Sequence, residues 1–179
     1  MARTTFQGPV RSLGGIYQQG PATVVEITAS TTLDPVAHAG RIISVGGSLA
    51  ANVVLTLPSI NVSTNSITSG PGQDPNTLNN EGVVYTIWVP TTISTSSLKI
   101  GTDGTDKFVG SVISVDTDSS GAVVGFTAAS TNDFINLNGT TTGGVAGTWI
   151  QIVAIAANKY MVNGVVNGSG SVATPFADS

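Results

Sequence analysis

The chain contains no cysteine. That excludes disulfides and thiolate metal sites. It contains one histidine, His38, so a single copy cannot supply a two-histidine metal site, and any catalytic triad would depend on that one ring. Charge is scarce as well: charged residues are 9% of the chain, against roughly 25% in an ordinary soluble domain. Six Lys and Arg stand against ten Asp and Glu, for a net charge of −4. No basic patch can form of the size that neutralising nucleic-acid phosphates requires. Polybasic attachment to an anionic membrane is excluded on the same ground. The apolar run from Ile152 to Ala157 is far short of the roughly 20 residues a spanning helix needs. The stretch from Met1 to Arg11 has no signal-peptide core, and we expect a protein made in the cytoplasm and used without Sec export.

What fills the chain instead is apolar residues and uncharged polar ones. Hydrophobic residues make up 40% of it and the mean hydropathy is +0.28. An isolated monomer normally relies on charge to stay soluble and apart from its neighbours. A chain this poor in charge must cover itself with Ser, Thr, Asn and Gln, or bury surface against other molecules. Uncharged polar groups suit dry contacts because they cost less to desolvate than ions.

Residues 1–21 differ from the remainder. They hold Arg3 and Arg11, four glycines, two prolines, and single apolar residues at Phe6, Val10, Leu13, Ile16 and Tyr17. Neither a 3.6-residue nor a 2-residue period fits them. They read as an extended arm that lies on its own domain or on a neighbouring subunit. From residue 22 to 179 the chain reads as one β domain of short patterns rich in Val, Ile, Thr and aromatics. Strands are expected over Thr23–Ala29, Arg41–Val45, Asn52–Leu57, Val83–Val89, Leu98–Ile100, Lys107–Val115, Ala122–Thr127, Asp133–Leu137, Trp149–Ile155 and Lys159–Val166. Trp149, Gln151, Val153 and Ile155 alternate with Ile150, Ile152 and Ala154, which predicts a strand covered on both faces. Asp116–Gly121 reads as a hairpin loop, Ala157-Asn158 as a tight turn, and Asp103-Gly104 and Asn138-Gly139 as turn dipeptides. Asn61–Gly82 reads as a long loop. Many short strands with frequent turns predict an all-β fold, an antiparallel sandwich or barrel-like domain with an extended N-terminal arm.

The residues that could carry chemistry favour structural roles. His38 lies in the loop-like stretch Asp34–Gly40, and no Gly-x-Ser-x-Gly elbow supplies a nucleophile. Asp116 and Asp118 start a pattern like half a calcium loop, but its twelfth position is Thr127 where a bidentate Glu is needed. Aspartates in turns more often bond nearby amides. The sequons beginning at Asn61, Asn138 and Asn167 read as accidental in an Asn- and Thr-rich chain. Trp88, Trp149, Tyr85, Tyr160 and Phe108 sit within strand patterns and are expected in the core. We expect no enzyme, no metal and no cofactor.

Two parts of the chain resemble tailed-phage virion proteins. The opening Arg3-Thr-Thr-Phe-Gln-Gly-Pro-Val-Arg-Ser-Leu-Gly-Gly-Ile-Tyr17 resembles the short N-terminal arms of their small structural proteins. Ala39-Gly-Arg-Ile-Ile-Ser-Val45, Val54-Leu-Thr-Leu-Pro58, Glu81-Gly-Val-Val-Tyr-Thr-Ile87, Gly147-Thr-Trp-Ile-Gln-Ile-Val153 and Asn158-Lys-Tyr-Met-Val-Asn-Gly164 resemble the β domains of capsid decoration (cement) proteins. The resemblance implies a non-enzymatic protein on the capsid surface of a virion. Its partners would be the major capsid protein and copies of itself, as a homo-oligomer and most simply a trimer. Within the arm, Arg3, Phe6, Arg11, Leu13 and Tyr17 are the expected contacts, since Arg and aromatics most often dominate interfaces. The alternative is a tail-fibre, spike or host-attachment module, which would share this composition.

Overall fold

The computed structural model describes residues 13, 20, 23–62, 79–118 and 121–178. Among these, twelve strands and one helical turn follow in the order β1 (Val24–Glu26), β2 (Thr31–Thr32), α1 (Pro35–His38), β3 (Ile42–Ser44), β4 (Val53–Thr56), β5 (Val84–Trp88), β6 (Leu98–Gly101), β7 (Lys107–Asp116), β8 (Val123–Thr127), β9 (Phe134–Leu137), β10 (Trp149–Ala156), β11 (Lys159–Gly168) and β12 (Phe176–Ala177). They build two sheets, a seven-stranded one ordered β1-β3-β5-β10-β11-β7-β8 and a five-stranded one ordered β12-β9-β6-β4-β2. The fold is all-β as expected, and of the two expected forms, sandwich or barrel, it is the sandwich. Every predicted strand is present, and Ala157-Asn158 joins β10 to β11, with Asn158 at φ 60.

The sheets are mixed, where the sequence predicts antiparallel pairing. From β1 to β6 the chain alternates between the sheets, so each strand returns to its sheet running the same way as its predecessor. The ladders β1-β3-β5 and β2-β4-β6 are therefore parallel. A parallel pair needs a long crossover, and here a strand of the opposite sheet provides it. The second half is built on hairpins: β7 pairs antiparallel with β8, and β10 with β11. β11 then lies parallel to β7.

Register stacks the inward apolar residues into ladders. Ile43, Ile87 and Ile150 are successive partners in the large sheet, as are Tyr85, Ile152 and Val162. In the small sheet Leu55, Ile100, Ile135 and Phe176 align, beside Val53, Leu98 and Leu137. All are buried in one hydrophobic cluster. Each such side chain contributes on the order of 1.5–3 kcal/mol on leaving water. Gly110, at φ 106, is the register partner of Val162, and a Cβ there would run into the Val162 carbonyl; a side chain would push β7 off β11.

The stretch Asp34–Gly40 is not wholly a loop. Asp34 caps one turn of helix: its Oδ1 accepts from the amides of Val36 at 2.6 Å and Ala37 at 3.2 Å, with Pro35 at the first helical position.

Candidate functional site

Alternation along the strands gives the large sheet two faces, and only one packs on the core. The outer face carries cross-strand rows whose members are register partners. Trp88, Trp149, Val165 and Ile113 form one row across β5, β10, β11 and β7. Val84, Val153, Met161 and Val109 form a second. Between them runs an uncharged polar row of Thr86, Gln151, Asn163 and Ser111, which Thr127 extends onto β8. Trp149 is 40% exposed, Val165 41%, Ile113 49% and Met161 36%. At these strands' open end, Lys107 and Lys159 are neighbours, and Lys107 is paired with Asp133 at 2.8 Å. At spacings of about 4.8 Å between strands and 3.3 Å along them, the face over the whole sheet is on the order of 600 Å². The apolar rows take up part of that face, the polar row another part, and Thr86 in it is buried; exposed apolar side chains grouped in this way often mark an interaction site.

This corrects two expectations. Tyr85, Tyr160 and Phe108 are fully buried, but Trp88 is half-buried and Trp149 lies on the outer face. Likewise β10 is buried on its Ile150 and Ile152 side, while its Trp149 side opens to solvent. Its apolar character on both sides belongs to a surface, and the sequence alone cannot separate a covered face from an interaction face.

The other singled-out residues act locally. The Asp34 amide donates to His38 Nδ1 at 2.8 Å, which ties the imidazole to its own helical turn. Asp103 Oδ1 accepts from the amides of Thr105 and Asp106, both at 2.9 Å, and Ser59 donates to its Oδ2 at 2.6 Å. Burial pushes the Asp103 carboxyl up, and these hydrogen bonds outweigh it and hold the group below its usual range. Burial, followed by the charge of Asp103, raises Asp106, against a bond from the Ile60 amide at 2.9 Å. Asp116 Oδ1 accepts from the Asp118 amide at 3.0 Å, and Asp118 Oδ2 from the Gly170 amide at 2.6 Å. Asn138 Oδ1 accepts from the amides of Thr140 and Thr142 within its own turn. Among the described residues no three His, Cys, Asp or Glu side chains gather as a metal site.

Of the expected arm contacts, Leu13 is 87% exposed, and Arg3, Phe6, Arg11 and Tyr17 lie outside the described residues. Of the loop Asn61–Gly82, residues 63–78 also lie outside them. Buried Asn80 ties its two ends, accepting from the Asn61 amide at 2.8 Å and donating to the Ser59 carbonyl at 2.9 Å. The outer-face rows are the functional candidate that the sequence reading missed; the alternation in β10 was the available signal. No protein-family model, no curated protein and no solved structure matches the chain.

Proposed function

We propose that this protein is a structural component of a phage particle, a decoration protein that binds the outside of the assembled capsid in many copies and braces it. The observation that carries the reading is the outer face of the seven-stranded sheet. It combines exposed Trp149, Val165, Ile113 and Met161 with an uncharged polar row. A surface of this kind is cheap to desolvate and costly to leave wet. The rigid sandwich behind it holds the rows in fixed register, so a flat protein surface can meet all of them together. Many copies on a symmetric shell turn modest single contacts into lasting attachment. The resemblance of the arm and β segments to decoration proteins supplies the particle; the face and the scarcity of charge supply the mode of attachment. Arg3, Phe6, Arg11, Leu13 and Tyr17 serve in this reading as a second contact, reaching the shell or a neighbouring copy.

Co-sedimentation with undecorated capsids of the cognate phage tests it. Full-length protein should pellet to saturation at capsid-scale stoichiometry. Trp149→Glu combined with Ile113→Lys should weaken binding at least about tenfold with the β-sheet circular dichroism unchanged. Deletion of residues 2–20 should abolish binding. Wild-type protein that stays in the supernatant defeats the proposal.

A tail-fibre or spike module is the second reading. The parallel winding of β1–β6 favours it, since such coils extend by stacking. Copy number per particle separates the two: tens to hundreds for decoration, few for a fibre.

A further inference from the structure

Among the described residues the two sheets end in four edge strands, and they are unequal. β1 is three residues long, and β2 and β12 are two each. β8 is five residues long, Val123–Thr127. It carries no charge and no proline, and it pairs with β7 in unbroken register. Proteins normally blunt such an edge with lysine, proline or a bulge; here Gly121 and Ala122 precede it, and Ala128 and Ala129 follow.

Hydrogen bonds at both ends of β8 set its phase. The Asp116 amide donates to the Ala122 carbonyl at 2.8 Å, and the Ala128 amide to the Gly110 carbonyl at 3.0 Å. In an antiparallel pair, residues bonded to the neighbour alternate with residues whose amide and carbonyl point away. Even-numbered positions therefore bond to β7, and Val123, Gly125 and Thr127 present their backbone groups outward.

We propose that β8 is a self-pairing strand, joining two copies of the chain antiparallel about a two-fold axis through Gly125. The second copy is the partner this edge fits best, because the strand is complementary to itself. A two-fold at Gly125 sets Gly125 against Gly125 of the other copy, Val123 against Thr127, and Val124 against Phe126. Every outward amide and carbonyl of the strand then finds a partner. The Val124–Phe126 pairing is of the β-branched–aromatic kind that stabilises sheets, and Val124 is 37% exposed in the single chain. The uncharged strand brings no like charges together. A Cβ built at Gly125 meets nothing within 4 Å, so the axis position is unobstructed. The contact joins two seven-stranded sheets into one, extending the apolar face across both copies. It needs no capsid, does not depend on the proposed function, and is separate from any three-fold assembly.

The free protein tests it. Gly125→Cys adds a single thiol to a cysteine-free chain. Bonded antiparallel partners lie about 5.5 Å apart at Cα, within disulfide reach. On mild oxidation this variant should give a disulfide-linked dimer on non-reducing gels far above the level of an Ala50→Cys control, whose thiol sits at an exposed site. Gly125→Pro removes an outward amide without touching the β7 ladder. It should weaken concentration-dependent association in light scattering at least about tenfold, with unchanged circular dichroism. Cross-linking of Gly125→Cys no greater than the control overturns the proposal, as does a wild-type mass unaffected by Gly125→Pro.

Discussion

Tyr85 and Tyr160 look alike in sequence, both aromatic and both within strand patterns, yet their hydroxyls meet opposite fates. Tyr160 donates to the Pro58 carbonyl at 2.6 Å. The Tyr85 hydroxyl is buried without a hydrogen-bond partner. Burial raises both phenols far above their ordinary range, helped by Asp34 at Tyr85 and by Tyr85 at Tyr160, so both stay neutral. Tyr160→Phe should cost about 1 kcal/mol, while Tyr85→Phe should be neutral or stabilising by up to about 1 kcal/mol, because it removes an unsatisfied buried group. Urea denaturation midpoints check both signs. Asp103 and Asp106 form a second contrasting pair. The Asp106 carboxyl is raised in the fold, so its ionised form costs stability above the ordinary carboxylate range, and that cost vanishes as pH falls below it. Asp106→Asn should stabilise near neutrality and change little near about pH 3. Asp103 has the opposite sign: its stabilisation is full near neutrality and is lost as pH falls below the ordinary carboxylate range, through its lowered folded-state value. Asp103→Asn should therefore destabilise near neutrality and converge with wild type in acid. Aspartates in turns were legible in the sequence. Which of them is buried was not, because Ile60 and Ser59, distant in sequence, supply the partners.

Among the elements, turns and strands of three residues or more follow from local sequence and the two-residue edge strands do not. β2 and β12 have two residues each, too few for any period to show; they exist because Leu55 and Ile135 lie beside them. The Asn138-Gly139 turn was readable as a turn. Its tightness comes from elsewhere: Gly139 sits at φ 77, and a Cβ there would run into the Ile93 carbonyl. Gly139→Ala should cost at least about 2 kcal/mol, visible as a lower thermal midpoint. Pairing direction escaped the sequence entirely. A strand such as β4, Val-Val-Leu-Thr, has the same alternation whichever way its neighbour runs.

For the molecule as a whole, adjacent residues of one strand report on different environments. Ile150 lies in the core and Trp149 on the outer face. Ile150→Ala should cost about 2–5 kcal/mol, whereas Trp149→Gln should change stability by less than about 1 kcal/mol and act on association instead. Chemical denaturation of the two variants separates them. The same division governs the proposed contacts. The outer-face rows exist only because strands distant in sequence are brought into register, and the free edge at β8 exists only because, among the described residues, no strand lies beyond it.

The sequence by itself determined that this is an all-β protein with scarce charge, turns at its Asp-Gly and Asn-Gly dipeptides, and strands of alternating Ile, Leu and Val. Those properties rest on propensity and on a two-residue period, both local to the chain. Tertiary structure alone decided that the sheets are mixed, that Trp149 faces outward, and that β8 ends its sheet. Each of these depends on which strands become neighbours, and strand pairing joins backbone groups whose hydrogen bonding is the same at almost every residue.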